Sequence, residues 1–274
     1  MDNIFLLILV GFTIGTFGTL IGAGGGFLLV PLLIITRPTM PPNVTTAISI
    51  AVVAVNAISG SIAYARAKRI DYKAGLLFGS FTIPGSIIGV FLVKYIPKHT
   101  FNIVFGILLI VLAVYLFIKN KQKKELEQIA PTEVLLHTTS HHLTDSSGKQ
   151  FNFSFNKTYG IVISFLVGFL SPMLGIGGGI IHVPAMVQWL QFPVYVATAT
   201  SHFILAIMST VSVVIHIFQG SYNDVHVQKM LLGLCIGVIP GAQLGAYISH
   251  KINTSLIIKI LAFCLALVGL RILF

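Results

Sequence analysis

The stretch G-A-G-G-G-F-L-L-V-P at residues 22–31 returns as G-I-G-G-G-I-I-H-V-P at residues 175–184, each time within a run apolar enough to lie in a membrane. Glycine clusters that interrupt a helix at bilayer depth, made twice in one chain, point to a carrier whose cargo meets bare backbone between two related halves. The halves agree beyond the glycines. T-A-I-S at residues 46–49 matches T-A-T-S at 198–201, I-P-G at 83–85 matches I-P-G at 239–241, and Gly89 matches Gly245, all in the same order.

Composition supports the membrane reading. Of 274 residues, 55% are hydrophobic and 9% charged, and the mean hydropathy is +0.95, more than a soluble core of this size requires. Apolar runs fall at about 4–21, 24–36, 44–65, 74–93, 101–118, 159–174, 179–192, 196–218, 230–249 and 254–273, most of them near the roughly 20 residues of a spanning helix. The second run of each half is too short. At about 1.5 Å per residue it covers some two thirds of a roughly 30 Å hydrocarbon core, so it is expected to start in mid-membrane, at its glycines. The fold class read from this is all-α: a polytopic membrane protein with two repeats of about five helical segments, at residues 1–119 and 158–274, joined by a linker at 120–157. The first run lacks a basic leader and a small-residue cleavage site, so it reads as a retained helix. Cys235 and Cys264 lie in apolar runs and form neither a disulfide framework nor a metal pair.

The net charge of +10 is not a nucleic-acid signature, because of where it sits. Arg66, Lys68, Arg69 and Lys73 share one short loop, and Lys119, Lys121, Lys123 and Lys124 follow the fifth run, as cytoplasmic anchors do under the positive-inside rule. The corresponding second-half loop, residues 218–229, carries only Asp224 and Lys229. If the first loop is cytoplasmic and the second is not, each half crosses an odd number of times and the repeats are inverted. Lys251 then falls on the cytoplasmic side and Arg271 on the other. A parallel four-plus-four arrangement, with each glycine break a mere kink, is the alternative.

Residues 120–157 are too polar to be buried in a membrane and show no clear apolar period, so they read as a solvated, flexible cytoplasmic linker. On a helix, His137 and His141 could share a metal ion with His142 nearby, but no cysteine or paired carboxylate completes such a site. No metal and no cofactor is expected.

Glycine tolerates dihedral angles closed to other residues and lets a ligand approach the main chain. Where the short helix begins, several N–H groups have no partner within it and the positive end of the dipole faces outward, which suits an anion. Two such tips, at Gly24, Gly25, Gly26 and at Gly177, Gly178, Gly179, are expected to converge on one anionic group near the midplane. Tight helix packing is the other use of small residues here. No Asp or Glu lies deep in an apolar run, which argues against acidic cation cages and carboxylate proton relays. The remaining polar groups can donate to an oxyanion: Thr45, Thr46, Ser49 and Asn56 on the third run, Thr198, Thr200, Ser201 and His202 on its partner, Gln243 on the ninth, and His182 beside the second glycine cluster. His182 and His202 can shuttle a proton or stand as satisfied neutral core residues, and neither has a first-half counterpart, Leu29 and Ile50 standing there instead. Lys259 reads as a snorkelling side chain, with a cationic substrate contact as the alternative. Pro31, Pro84, Pro184 and Pro240 are expected to kink their helices.

The G-x-x-x-G-A-G-G-G-F-x-x-V-P of residues 18–31, the P-G-S-x-x-G of 84–89 and the second-half G-I-G-G-G with its following proline resemble the TauE/SafE sulfite exporter family, the TSUP transporters. The resemblance covers both halves, nearly the whole chain except the linker. It implies transport of sulfite, sulfonates or related sulfur-containing anions, with the glycine clusters, residues 46–49 and residues 198–202 along the path. The expected function is thus a secondary transporter of small sulfur-containing oxyanions by alternating access; a passive anion channel is the runner-up. Its partners are a small anionic substrate and the lipid bilayer, with a second copy of the chain as a further candidate and nucleic acid excluded. An intramembrane enzyme is disfavoured: no H-E-x-x-H, no serine or cysteine triad pattern and no membrane carboxylate pair occurs.

Overall fold

The computed structural model describes residues 3–122, 138–249 and 254–273. In chain order they form α1 (Ile4–Ile21), α2 (Gly26–Thr36), α3 (Pro42–Arg66), α4 (Tyr72–Val93), α5 (Lys98–Gln122), β1 (Thr138–Thr144), β2 (Gln150–Asn156), α6 (Lys157–Leu174), α7 (Gly179–Gln188), α8 (Val194–Phe218), α9 (Val225–Ile248) and α10 (Thr254–Leu273). Among the described residues seven helices are long and apolar enough to cross a membrane, while α2 and α7 are not. The protein is an all-α polytopic membrane protein. The two truncated helices fall where the glycine clusters put them.

The repeat reaches into the helix ends. Asn3 caps α1 by accepting from the Phe5 N–H, and Asn156 caps α6 by accepting from the Thr158 N–H. Asp71 and Asp224 cap α4 and α9 in the same way, through the N–H groups of Ala74 and His226. A side-chain oxygen at this position satisfies one of the amides that the first helical turn leaves open.

Small residues then decide which helices pair. The Cβ positions of Gly237, Gly241 and Gly245 on α9 abut the backbones of Ile8, Phe12 and Thr16, so α1 and α9 run parallel with their main chains in contact. Gly85 and Gly89 on α4 meet Phe165 and Phe169 of α6 in the same sense. These are equivalent contacts, since Phe12 and Thr16 occupy the repeat positions of Phe165 and Phe169. Between the two pairs lie α3 and α8, which run antiparallel: Val53 packs with Leu205, while Gly60, further along α3, faces His202, further back along α8.

Contacts divide the chain into two compact units that do not follow the repeat boundaries. One comprises Met1–Tyr95 and His137–His250, the other Ile96–Leu136 and Lys251–Phe274. In the second, α5 packs on α10, where a Cβ on Gly269 would lie 2.9 Å from Ile110 Cγ1.

The structure corrects the reading of residues 138–156 as a flexible linker. They form an antiparallel hairpin that pairs Thr144 with Gln150 and Thr138 with Asn156. Its turn is built by Asp145, whose Oδ1 accepts from Ser147 N–H at 2.9 Å, Ser147 Oγ at 2.6 Å and Lys149 N–H at 3.0 Å. Gly148 supplies the left-handed residue at φ +84°. Strand alternation turns Phe151, Phe153 and Phe155 inward, onto Phe78, Met186, Leu190 and Phe192. The proposed helical spacing of His137 and His141 therefore does not arise at His141, and His137 lies outside the described residues. On the strand, His141 and His142 face opposite ways: His141 meets Asp71 and His142 meets Asn152. No metal-binding cluster occurs among the described residues.

Candidate functional site

Both glycine clusters turn the chain back on itself. Gly22, Gly24 and Gly25 take φ of +79°, +77° and +85°, and Gly175, Gly177 and Gly178 take +71°, +80° and +61°, values that favour glycine over any residue with a Cβ. After the first turn Gly25 lies against Ile14, one or two turns back along α1; after the second, Gly178 lies against Val167 and Ser171 of α6. Each short helix therefore starts beside the middle of the long helix before it.

The two turns meet. A Cβ on Gly26 would run into the Gly175 carbonyl, and one on Gly179 into the Gly22 carbonyl. Ser49 donates to the Gly175 carbonyl at 2.5 Å, and its repeat counterpart Ser201 to the Gly22 carbonyl at 3.4 Å. Thr46 and Thr198 back onto Gly175 and Gly22 in turn. Each half thus grips the broken backbone of the other with the same residues. The convergence expected of the tips is present, but as direct contact with no gap between them at this point: a Cβ on Gly24 would lie 2.6 Å from Leu205 Cδ2 and 2.9 Å from Val53 Cγ1. The absence of Cβ atoms that allows a ligand to approach also allows the two backbones to interlock.

Around this contact lie polar groups that the protein does not satisfy. Among the described residues the N–H groups of Gly25, Gly26 and Phe27 at the first tip, and of Gly177, Gly178 and Ile180 at the second, have no backbone acceptor. Asn56 Nδ2, Ser171 Oγ and His182 Nδ1 are buried without a partner. Each orphaned buried polar group costs on the order of 1–3 kcal/mol; Asn56 Nδ2 and Ser171 Oγ can donate, whereas His182 Nδ1, with Nε2 donating to Ser164, is an acceptor in the neutral ring.

The other expected site residues are committed in different ways. Asn56 accepts from the Thr19 hydroxyl at 2.8 Å; that hydroxyl, its hydrogen spent, accepts from His202 Nε2 at 3.2 Å. His182 Nε2 lies 3.2 Å from Ser164 Oγ, whose hydrogen goes to the Gly160 carbonyl at 2.7 Å. The hydroxyls of Thr46 and Thr198 bond back to the Asn43 and Val194 carbonyls of their own segments. Gln243 donates to the Ser59 carbonyl at 2.7 Å and ties α9 to α3, away from the glycine contact. Thr19 and Ser171, one turn before each break, were not singled out in the sequence. A hydroxyl just before a glycine cluster in an otherwise apolar helix was their signal.

The sulfite exporter TauE/SafE family model matches residues 7–272. The chain belongs to the TauE/SafE family. Among its relatives is the probable membrane transporter protein YunE of Bacillus subtilis, 34% identical over 275 residues that cover 98% of this chain and 97% of that protein. A probable membrane transporter protein of Methanocaldococcus jannaschii is 30% identical over 97% of this chain and 93% of its own length. No solved structure matches. This TauE/SafE protein is therefore a multi-pass membrane transporter, and the matched region takes in both glycine turns and the hairpin.

Proposed function

We propose that this protein is a secondary transporter of small sulfur-containing oxyanions, of the sulfite or sulfonate class, and that it works by alternating access. The observation that carries the reading is the pair of interlocked glycine turns, with six N–H groups that have no backbone acceptor and the nearby unpartnered Asn56 amide and Ser171 hydroxyl. Such a set is complementary to a tetrahedral or pyramidal oxyanion, which needs several donors from several directions. The family's description as sulfite exporters supports the sulfur chemistry.

The repeats are read as inverted. The antiparallel run of the equivalent helices α3 and α8, with α1 parallel to α9 and α4 parallel to α6, supports a two-fold axis lying in the membrane plane. With the loop of Arg66, Lys68 and Arg69 taken as cytoplasmic in the cell membrane, the hairpin is cytoplasmic too. Rocking of the halves separates the glycine turns enough to admit the anion, first from one side and then from the other. His182 and His202 stand beside the turns, where they can carry the proton of a protonated substrate.

Counterflow in proteoliposomes tests this. Vesicles loaded with unlabelled sulfite, thiosulfate, taurine or sulfoacetate, under separate pH and sodium gradients, are expected to accumulate the labelled form of the matching anion faster than empty ones. Currents that saturate far above carrier rates, with no acceleration by substrate on the far side, would replace the carrier by a channel. Absence of flux for every one of these anions would remove the substrate class.

A further inference from the structure

The transport reading makes no use of the hairpin, yet it is among the most heavily anchored parts of the molecule. Its inward phenylalanines stack into a ring cluster, with Phe153 and Phe192 centred 4.6 Å apart, Phe155 and Phe192 4.8 Å, and Phe78 and Phe155 5.5 Å. Phe78 belongs to α4 of the first half, and Phe192 to the connection between α7 and α8 of the second. One strand therefore holds both halves together at one end of the helices.

Its flank grips the turn between α3 and α4. The Ser146 N–H donates to the Ala67 carbonyl at 3.0 Å, Arg69 Nε lies 3.5 Å from Asp145 Oδ2, and His141 Nδ1 lies 2.5 Å from Asp71 Oδ2. The last pair is well shielded, with side chains 12% and 7% exposed, so its Coulomb attraction is screened less than at an open surface. From Asp71 the contacts lead directly to the candidate path. The Asp71 N–H donates to Thr200 Oγ1 at 3.0 Å, and the next residue, Ser201, holds the Gly22 carbonyl.

We infer that the hairpin is a latch closing this end of the carrier, and that the ion pair between His141 and Asp71 is its pH-sensitive catch. The inference rests on the alternating-access reading, because a latch across the two halves matters only if they separate. His141 faces Asp71 from the α3–α4 turn and the rings of Phe153 and Phe155 from β2. The adjoining charges are the Arg69–Asp145 pair and Lys149, which shares the Tyr195 ring of α8 with Arg69; His142 lies on the other face, against Asn152. Asp71 is thus the anion that His141 meets. Protonated, the imidazole is held by the carboxylate; neutral, it keeps only its ring contacts. The latch is shut while the imidazolium faces the carboxylate and loosens when the ring gives up its proton.

The test measures the latch itself and needs no substrate. In the full-length protein in nanodiscs, with Cys235 and Cys264 replaced by serine, spin labels on Gln150→Cys in the hairpin and Lys73→Cys on α4 report their separation at pH about 5 and about 8, either side of the ordinary imidazole range. A single short distance at the lower pH and an added longer population at the higher one is expected. His141→Gln, and Asp71→Asn, which keeps the cap of α4, are expected to show the longer population at both values. One distribution at both values in the parent protein, or a pH response that survives in His141→Gln, overturns the catch. A failure of sulfur oxyanions to cross the vesicles would sink the substrate reading and leave this result standing.

Discussion

The turn between α3 and α4 and the turn between α8 and α9 are built on one plan. In the first the chain passes through Lys68 at φ +53°, and in the second through Gly220 at +71°. The Arg69 N–H closes onto the Tyr64 carbonyl at 3.2 Å, the Ser221 N–H onto the His216 carbonyl at 3.0 Å, and each turn delivers an aspartate to cap the next helix. There the likeness ends. Asp71 is buried beneath the hairpin and paired with His141, whereas Asp224 is exposed and does nothing but cap. The repeat builds a frame whose halves are interchangeable at the glycine centre, and one added element makes its two ends unequal. A transporter built from two such halves can acquire a control at one end in this way without altering the glycine centre.

The sharpest way to break the comparison is at the centre, where it demands equality. Gly25→Val and Gly178→Val should each reduce counterflow to the level of empty vesicles, with the protein still folded in the membrane. Both introduce a branched side chain at a left-handed φ, the first 2.6 Å from Ile14 Cγ2 and the second 2.9 Å from Val167 Cγ1. Transport retained in one variant alone would show that the halves are unequal even there. Phe153→Ala then separates the ends. Loss of this ring from its cluster should cost the hairpin about 3–5 kcal/mol, enough to speed trypsin cleavage after Lys149 by about a hundredfold or more. Cleavage after Lys229, beside the opposite turn, should not change.

The parts of this molecule legible in its sequence were those stated twice. The glycine clusters, the truncated helices after them and the serines at 49 and 201 could be aligned with themselves, and repetition does the work of a second sequence. The hairpin has no internal copy, and its phenylalanines at 151, 153 and 155 were averaged into a polar stretch, although their spacing of two is a strand period. Nor could spacing reveal the partner of Asp71, which lies seventy positions away and is brought near only by the hairpin's packing. At the site, the types of polar residue were legible but their commitments were not. Thr46 and Thr198 spend their hydroxyls on their own segments, as hydroxyls in helices commonly do, while the open donors are main-chain amides that any sequence contains.

Smaller effects sharpen the contrast between the aspartates. Asp224→Ala should cost about 1 kcal/mol, the value of a helix cap, and lower the Tm only slightly. Asp71→Ala should cost clearly more, since it removes the same cap and leaves a largely buried imidazole without its anion. Equal losses in thermal unfolding of the two variants would mean that the hairpin contributes nothing through this contact.

The smallest expected effect has the opposite pH sign to the catch, and so can be told from it. The Ser147 hydroxyl holds the Asp145 carboxyl below the usual carboxylate range, helped by the Lys149 and Ser147 amides and by Arg69. A carboxylate with a lowered folded value stabilises the turn fully above its unfolded value, and loses that contribution as pH falls through the folded one. Acid should therefore loosen the Asp145 turn only once the pH falls into the carboxylate range, a different window from that in which His141 gains its proton. In Asp145→Asn the acid-induced rise in hairpin cleavage, followed with pepsin below the carboxylate range, should flatten, while the change across the imidazole range persists. If Asp145→Asn instead abolished the change across the imidazole range, where the Asp145 carboxylate stays ionised, the turn of the hairpin would be what holds its strand against Asp71, and the difference between the two ends of the molecule would rest on that turn.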